Sequence, residues 1–268
     1  TGNYRIRKVD ASTGKIATIA GAGQSGSSGD NGPAVFAKLS FPFDVRLDGK
    51  GSLFIADPLN CTIRKVVLST GIITTVAGNG QCEFKGDGGP ATAAALKNPF
   101  GVAVDPDGNV FIADEGNHRI RKVDAATQII SPIAGTGDAG YSGDGGLATA
   151  ARLSSPSGVV TGASGIVFIG DTANRRIRKV TAAGMITTVA GTGQRTVLGD
   201  NGPASAAGLA SPHAVAMDAA GNLFIADTTN HLVRKITAEG TIVSIAGTGI
   251  SGFSGDNGPA GAAAVSFP

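Results

Sequence analysis

Four aspartates recur along the chain at intervals of 57, 57 and 56 residues, and carboxylates that recur in this way could hold a metal ion or exchange protons with a substrate. The four are Asp57, Asp114, Asp171 and Asp227. Each closes an apolar run such as Phe-Ile-Ala-Asp and is followed three residues later by an asparagine, at Asn60, Asn117, Asn174 and Asn230. Asp and Asn side chains in short connections readily bond backbone groups. Because every copy has the pair, the pattern favours a structural turn over a catalytic site.

A second set of carboxylates stands in a Gly-Asp-x-Gly context, at Asp30, Asp87, Asp144, Asp200 and Asp256. An alanine-rich stretch follows each one, and Asp is a preferred N-cap residue of helices. The loops therefore predict a short helical turn capped by the aspartate. A calcium site is the alternative, but calcium loops supply several oxygen ligands and each copy here has one carboxylate. On this argument we expect no cofactor, with calcium left open.

A ladder of basic residues runs through the same units. It comprises Arg7, Arg64, Arg121, Arg178 and Arg234, each followed by a lysine, at Lys8, Lys65, Lys122, Lys179 and Lys235. A nucleic-acid surface needs such residues clustered on one open, strongly basic face. The net charge of the chain is only +2. The ladder therefore predicts packed side-chain stems with paired heads, and no nucleic-acid partner.

The unit at residues 99–155 shows the elements that position these side chains. Its apolar and alternating segments predict strands near 101–105, 109–114, 119–123 and 128–134, joined by tight turns such as Asp-Pro-Asp-Gly. Four strands connected in this way form an antiparallel meander. A unit of this size cannot bury both of its faces alone, which favours radial stacking of units. No apolar run of the sequence approaches the roughly 20 residues of a membrane span.

These units resemble the NHL repeat, which is named for an Asn-His-Leu triplet. The triplet and its counterparts in register are Asn230-His231-Leu232, Asn117-His118-Arg119 and Asn174-Arg175-Arg176. The resemblance extends over essentially the whole chain. It implies an all-β fold, a β-propeller of four-stranded antiparallel blades, which is most often six-bladed in this family.

The repeat divides the chain into one partial and four complete units. They are residues 1–41, 42–98, 99–155, 156–211 and 212–268. Third strands are predicted five times, but second strands only four times. We therefore expect a single propeller domain with five of six blade positions and an incomplete first blade. The remainder of the chain or a second copy is expected to complete the ring, because an unpaired sheet edge promotes association.

The positions that vary between units collect on one face of the predicted meander, where strand one begins, strand two ends and strand three begins. Phe43, Phe100, Ser157 and His213 stand just before strand one, and Tyr4, Cys61, His118, Arg175 and His231 stand at the middle of the triplet. Variable residues at one end of a rigid scaffold are typical of binding surfaces. All except Cys61 are candidate ligand-binding residues. The alternative for Phe43 and Phe100 is that they pack as a plug in the central channel.

The two cysteines of the sequence are candidates for a disulfide. Cys61 opens strand three of its unit, and Cys82 follows strand four by a few residues. Antiparallel pairing of those strands places both thiols on one face, and a bond then requires Cα atoms within roughly 7 Å. A disulfide indicates an oxidising compartment, and on that basis we expect an extracellular or periplasmic protein.

Two function classes stay open at this point. The first is a non-catalytic binding or scaffolding module that presents its variable face to a protein or glycan. The second is a metal-dependent hydrolase or lyase with a site in the central channel, because calcium-dependent lactonases and amidating lyases occur on related six-bladed folds. Such a site needs several converging ligands, and Asp44 is the one unit-specific acid near the strand-one starts. Neither Gly-x-Ser-x-Gly nor His-Glu-x-x-His occurs, so no catalytic or metal residue is predicted.

Overall fold

A computed structural model describes residues 2–268, and their regular structure consists of short strands and single 3-10 turns. The strands are β1 (Ile6–Val9), β2 (Ile16–Ala20), β3 (Val45–Leu47), β4 (Ser52–Asp57), β5 (Thr62–Val67), β6 (Ile72–Ala77), β7 (Pro99–Val104), β8 (Val110–Asp114), β9 (Arg119–Val123), β10 (Ile130–Ala134), β11 (Pro156–Thr161), β12 (Val167–Asp171), β13 (Arg176–Val180), β14 (Ile186–Ala190), β15 (Gly202–Pro203), β16 (Pro212–Met217), β17 (Leu223–Asp227), β18 (Leu232–Ile236) and β19 (Thr241–Ala246). The strands predicted for residues 99–155 correspond to β7, β8, β9 and β10.

The strands form antiparallel sheets in chain order. β1 pairs with β2, and the four-stranded sheets are β3–β6, β7–β10, β11–β14 and β16–β19, with β15 added to the outer edge of β19. The predicted four-stranded antiparallel meander is therefore confirmed. A register shift interrupts the pairing of β5 with β6 between Ile63 and Arg64, and β13 with β14 and β18 with β19 have the same irregularity.

The chain forms two compact units. The first comprises the residues up to Asn117 together with Arg121–Pro132, and the second comprises His118–Ile120 together with Ile133–Pro268. In the first unit β4 packs against β7, and in the second unit β11 and β12 pack against β16.

Strand β4 shows why the inner strands are apolar throughout rather than alternating. All six of its residues are buried. Leu53 and Ile55 belong to one hydrophobic cluster, and Phe54 and Ala56 belong to another on the opposite face of the strand. Because successive side chains of a strand point to opposite faces, a strand covered on both sides needs apolar residues at every position.

The 3-10 turns lie in the connections. They are Ala34–Phe36, Pro58–Asn60, Ala91–Ala93, Glu115–Asn117, Ala148–Ala150, Ala163–Gly165, Ala204–Ala206, Thr228–Asn230 and Ala260–Ala262. Among residues 2–268 no helix has the length and apolar character needed to cross a membrane.

The alanine-rich loops that follow β2, β6, β10 and β14 each run along the outer edge of the sheet that comes next in sequence. Asn31 donates its backbone N–H to the carbonyl of Ile73 at 2.8 Å, and Ala34 donates to Gly71 at 2.8 Å. In the second unit the backbone pairing between the loop and the sheet edge is regular, and Gly202–Pro203 form strand β15 beside β19. The loop therefore delivers its aspartate to the third and fourth strands of the next sheet.

Candidate functional site

A buried arginine lies in the third strand of each four-stranded sheet. The set is Arg64, Arg121, Arg178 and Arg234, each at most 1% exposed. Each pairs with the aspartate of the preceding loop, in the pairs Arg64–Asp30, Arg121–Asp87, Arg178–Asp144 and Arg234–Asp200. The predicted capping role of these aspartates is wrong, since the 3-10 turns that follow them have no side-chain cap. The carboxylate bonds the buried guanidinium instead.

The aspartate that ends each second strand is also buried and fully engaged. Asp114, which is 0% exposed, accepts the backbone N–H of Lys97 at 2.7 Å, the side-chain amide of Asn117 at 2.9 Å and Arg121 at 3.4 Å. The amide of Asn117 also donates to the carbonyl of Glu83 at 3.1 Å. The asparagine therefore satisfies a backbone group as predicted, but that group lies in the preceding loop.

The protonation equilibria of these carboxylates reflect their burial. Burial raises the pKa of Asp57 and of Asp114 to about 6, although hydrogen bonds from the neighbouring asparagines oppose it. Burial acts in the same direction on Asp144, but hydrogen bonds from Thr188 and Tyr141 and a nearby guanidinium outweigh it and lower the pKa of that carboxyl. Within residues 2–268 no three His, Cys, Asp or Glu side chains are grouped so as to hold a metal ion.

Three lysines of the basic ladder lie over aromatic rings. The ammonium of Lys65 is 5.5 Å from the ring centre of Phe54, and Lys235 is 5.8 Å from that of Phe224. Such cation–π contacts use both the apolar stem and the charged head. The arginines beside these lysines, Arg64 and Arg234, are buried and paired, whereas Arg7 and Lys8 of the ladder are exposed.

The middle residue of each triplet closes a turn in a left-handed backbone conformation. The φ angles lie between 51° and 56° at Tyr4, Cys61, His118, Arg175 and His231. The backbone N–H closes the turn at Cys61, Arg175 and His231; Arg175, for example, donates to the carbonyl of Thr172 at 3.0 Å. The turn fixes the backbone, whereas the side chain at this position varies. We call these five the turn-closing residues.

Two of the turn-closing histidines have a structural role. Nδ1 of His118 accepts the backbone N–H of Ser155 at 3.1 Å, and Nδ1 of His231 accepts that of Phe267 at 3.3 Å. The ring of His231 also lies edge-on to Phe267, with the ring centres 4.7 Å apart.

The strand-one positions of the first unit form an aromatic contact. The rings of Phe43 and Phe100 meet edge to face with their centres 4.7 Å apart, and Phe43 is 39% exposed. The adjacent acid Asp44 pairs with Arg46 at 3.0 Å and accepts the backbone N–H of Val102 at 3.1 Å. The aromatic pair is therefore accessible, and the acid beside it is engaged by the fold.

The strand-one positions of the second unit, Ser157 and His213, differ from each other in exposure to solvent. Ser157 is 3% exposed, and its hydroxyl lies 2.5 Å from that of Thr172 and donates to the carbonyl of His213 at 3.0 Å. Thr172 donates in turn to the carbonyl of Pro212 at 2.9 Å. Ser157 thus ties β11 to β16 rather than facing solvent, while the His213 side chain is half-buried.

Cys61 and Cys82 are joined by a disulfide, with their Cα atoms 5.4 Å apart. The bond connects the turn before β5 to the loop after β6. Cys61 is a turn-closing residue, so its backbone is fixed by the turn as well as by the bond.

A cavity of about 310 Å³ opens beside Arg175, the turn-closing residue between β12 and β13. It is lined by Thr172, Ala173, Arg175, Arg195, Ala210, Ser211 and Thr229. Arg195 is a pocket residue that the repeat pattern did not predict. The signal was present, since Arg195 stands five residues before Asp200, where the other loops have Ser25, Cys82, Ala139 and Ser251. We call this cavity the arginine pocket.

Family models match three parts of the chain. The model described as Teneurin NHL domain matches residues 133–198, and the model described as NHL repeat matches residues 96–123 and 209–236. The chain belongs to the NHL-repeat family. The two NHL-repeat matches include the triplets at His118 and His231.

Relatives of known name support this assignment. The NHL-repeat chain is 30% identical over 247 residues to Protein SUPPRESSOR OF QUENCHING 1, chloroplastic, of Arabidopsis thaliana, a match that covers 88% of this chain and 23% of the relative. It is 29% identical over 181 residues to human NHL repeat-containing protein 2, covering 64% of this chain and 25% of the relative. The chain therefore spans about a quarter of the length of these relatives.

The fold of the NHL-repeat chain is found in solved β-propellers. A chain in the crystal structure of a nidogen/laminin complex superposes with a TM-score of 0.60 at 15% identity, covering 91% of this chain and 75% of that one. Identity at this level shows the fold alone. The predicted β-propeller class is confirmed.

Proposed function

We propose that this NHL-repeat chain is a non-catalytic binding module, and that the ends of its sheets that carry the turn-closing residues contact a partner protein. The carrying observation is the contrast between constant and variable positions. The buried Arg and Asp residues repeat from sheet to sheet, whereas the turn-closing position holds Tyr, Cys, His or Arg on the same backbone geometry. Constant scaffolds with variable loop residues are typical of recognition surfaces.

Accessible apolar side chains at these sheet ends favour a protein partner. In the first unit Leu59 is 61% exposed in the turn between β4 and β5, and Phe41 and Phe43 are 37% and 39% exposed near the start of β3. Aromatic and apolar groups of this kind are enriched at the centres of protein interfaces. A glycan partner would also use aromatic surfaces, and it is the alternative within this proposal.

The name of one structural relative is consistent with this function. The solved nidogen/laminin assembly is a complex between proteins, and it contains a chain with this fold. Fold likeness alone is an analogy, so the exposed residues carry the argument.

We also propose an extracellular or periplasmic location, and a second copy or further sequence as a neighbour of the two-stranded sheet β1–β2. The disulfide between Cys61 and Cys82 supports the location, because disulfides persist in oxidising compartments. The two-stranded sheet supports the neighbour, because isolated two-stranded sheets are only marginally stable in water.

Site-specific photo-crosslinking in the full-length protein tests the binding proposal. A photoreactive phenylalanine analogue would replace Leu59 at one end of β4 or Lys50 at the other end, both of which are exposed. We expect a discrete protein adduct in the native host from position 59 and none from position 50. Adducts of equal yield from both positions, or from position 50 alone, would overturn the proposal.

A further inference from the structure

We propose that the arginine pocket binds an oxyanion, a carboxylate or phosphate group, through Arg175 and Arg195. This inference goes beyond the proposed function, because a free anion can occupy the pocket without any protein partner. Guanidinium groups bind both anions through paired N–H donors.

The two pocket arginines differ from the other arginines nearby in having spare donors. Arg176 donates to the carbonyls of Asn174 at 2.8 Å and Thr192 at 2.7 Å and lies 3.7 Å from the ring centre of Tyr141. Arg175 instead makes one hydrogen bond, to the carbonyl of Gly193 at 3.2 Å. Most of its five N–H donors therefore remain available to a ligand.

No carboxylate balances the charge of the pocket. Within residues 2–268 neither Arg175 nor Arg195 forms an ion pair, whereas the buried arginine of the same sheet, Arg178, pairs with both Asp144 and Asp171. Two cations that line one cavity repel each other unless a negative group lies between them. A bound oxyanion supplies that negative group.

The disulfide of the first unit occupies the two repeat positions that correspond to Arg175 and Arg195, and it shows that these positions can lie close together. Cys61 and Arg175 are both turn-closing residues, and Cys82 and Arg195 both stand five residues before a loop aspartate. At the cysteine pair the Cα atoms are 5.4 Å apart. The repeat thus uses the same pair of positions for a covalent bond in one sheet and for two cations in another.

The remaining lining fits a small polar group. Ser211 and Thr229 add hydroxyl groups, and Ala173 and Ala210 leave room because their side chains are short. A volume of about 310 Å³ lies at the lower end of the range for ligand pockets. The pocket therefore suits a single anionic group rather than an extended chain.

Side-chain NMR of the arginine Nε–H groups tests this inference with sodium phosphate and sodium acetate as probes. Both are titrated at constant ionic strength, with chloride as the exchanged anion. We expect saturable shifts at Arg175 and Arg195 with one of the probes. Saturation with phosphate but not acetate assigns a phosphate site, and the reverse assigns a carboxylate site.

Two variants make the test decisive. Arg195 is exposed, so Arg195→Gln should fold normally, and we expect it to weaken binding about tenfold or more, the loss associated with one charge-assisted hydrogen bond. Arg152→Gln is the matched control, since Arg152 is also exposed but pairs with Asp138 at 3.6 Å, and its binding should equal that of the wild type. Shifts that grow linearly without saturation, or that persist unchanged in Arg195→Gln, would overturn the inference.

Discussion

Arg121 is enclosed by four polar partners that come from distant parts of the sequence. Its guanidinium bonds Asp87 and Asp114 and donates to the carbonyls of Ala95 at 2.7 Å and Lys85 at 3.1 Å. Removal of one member of a buried ion pair leaves an uncompensated charge, which is more costly than the loss of the bond itself. All four buried arginines therefore join a loop to a third strand, and Arg121 and Arg178 also bond the aspartate at a strand end.

The first prediction concerns this arginine. Arg121→Met should lower the free energy of unfolding by about 3–5 kcal/mol, because two carboxylates lose their partner. Urea denaturation measures the loss. Arg7 occupies the same repeat position in β1 but is exposed, so Arg7→Met should change the free energy by less than about 0.5 kcal/mol. Equal losses in the two variants would contradict the structural role of burial.

The second prediction follows from the pKa of Asp114, which burial raises to about 6. The unfolded value is about 3.9, so between about pH 4 and pH 6 the native state binds more protons than the unfolded state, and stability falls as the pH rises through this window. Asparagine cannot titrate. Asp114→Asn should therefore cost less unfolding free energy at pH 7 than at pH 4, by as much as about 3 kcal/mol. A larger cost at pH 7, measured by urea denaturation, would contradict the raised pKa.

At the residue scale the sequence predicted local contacts but missed distant ones. The bond between Asp114 and Asn117 spans three residues and belongs to a known turn chemistry. The pair Arg121–Asp87 spans 34 residues and forms because the loop crosses onto the next sheet. The spacing of residues in the sequence does not show that the loop crosses onto the next sheet. Asp87 was therefore predicted to cap a helix.

The disulfide links two elements, the turn before β5 and the loop after β6, and gives the third prediction. Protein denatured without reductant should contain no free thiol in a colorimetric titration, since Cys61 and Cys82 are bonded. The double variant Cys61→Ser/Cys82→Ser should lose about 3 kcal/mol of unfolding free energy, the order expected for a loop of this size. Two free thiols in the denatured wild type would contradict the bond.

The fourth prediction concerns the glycine that follows β14. Gly191 has a φ of +91°, and a Cβ at this position would meet the carbonyl oxygen of Arg175 and lie 3.0 Å from Cα of Arg176. Gly191→Ala should therefore destabilise the protein by more than about 2 kcal/mol, the sum of left-handed strain and a backbone clash.

A matched glycine, Gly184, separates the effect of backbone strain from that of the steric clash. Gly184 has a φ of +77° but no atom within 4 Å of the Cβ position, so Gly184→Ala should cost only the strain, about 1 kcal/mol. Thermal and urea unfolding of both variants measure the difference. A cost for Gly191→Ala no larger than that for Gly184→Ala would refute the close approach of the two strands.

At the element scale the strands were predictable and the helical turns only in part. The strands follow from apolar runs bounded by turn residues, and β7–β10 begin and end within two residues of their predicted bounds. The alanine-rich loops form single 3-10 turns because the chain becomes extended again at once, as at Ala37. Three residues are too few to nucleate an α-helix.

Across the whole molecule, repeated and unrepeated residues have different roles. The repeated Asp, Asn and Arg residues hold each loop to a sheet, and the repeat made the fold class predictable from the sequence. The arginine pocket was not predictable in this way, because it depends on Arg195 in a single loop and on the side chains that a neighbouring sheet brings to it.

The affinity of the crosslinked partner for two variants tests the binding proposal most directly. Leu59→Asp and Lys50→Asp place the same side chain at opposite ends of β4, where both native residues are exposed, so neither should change the free energy of unfolding by more than about 0.5 kcal/mol. We expect Leu59→Asp to weaken partner binding about tenfold or more and Lys50→Asp to leave it within about twofold. Equal weakening by both variants, or weakening by Lys50→Asp alone, would contradict the binding proposal.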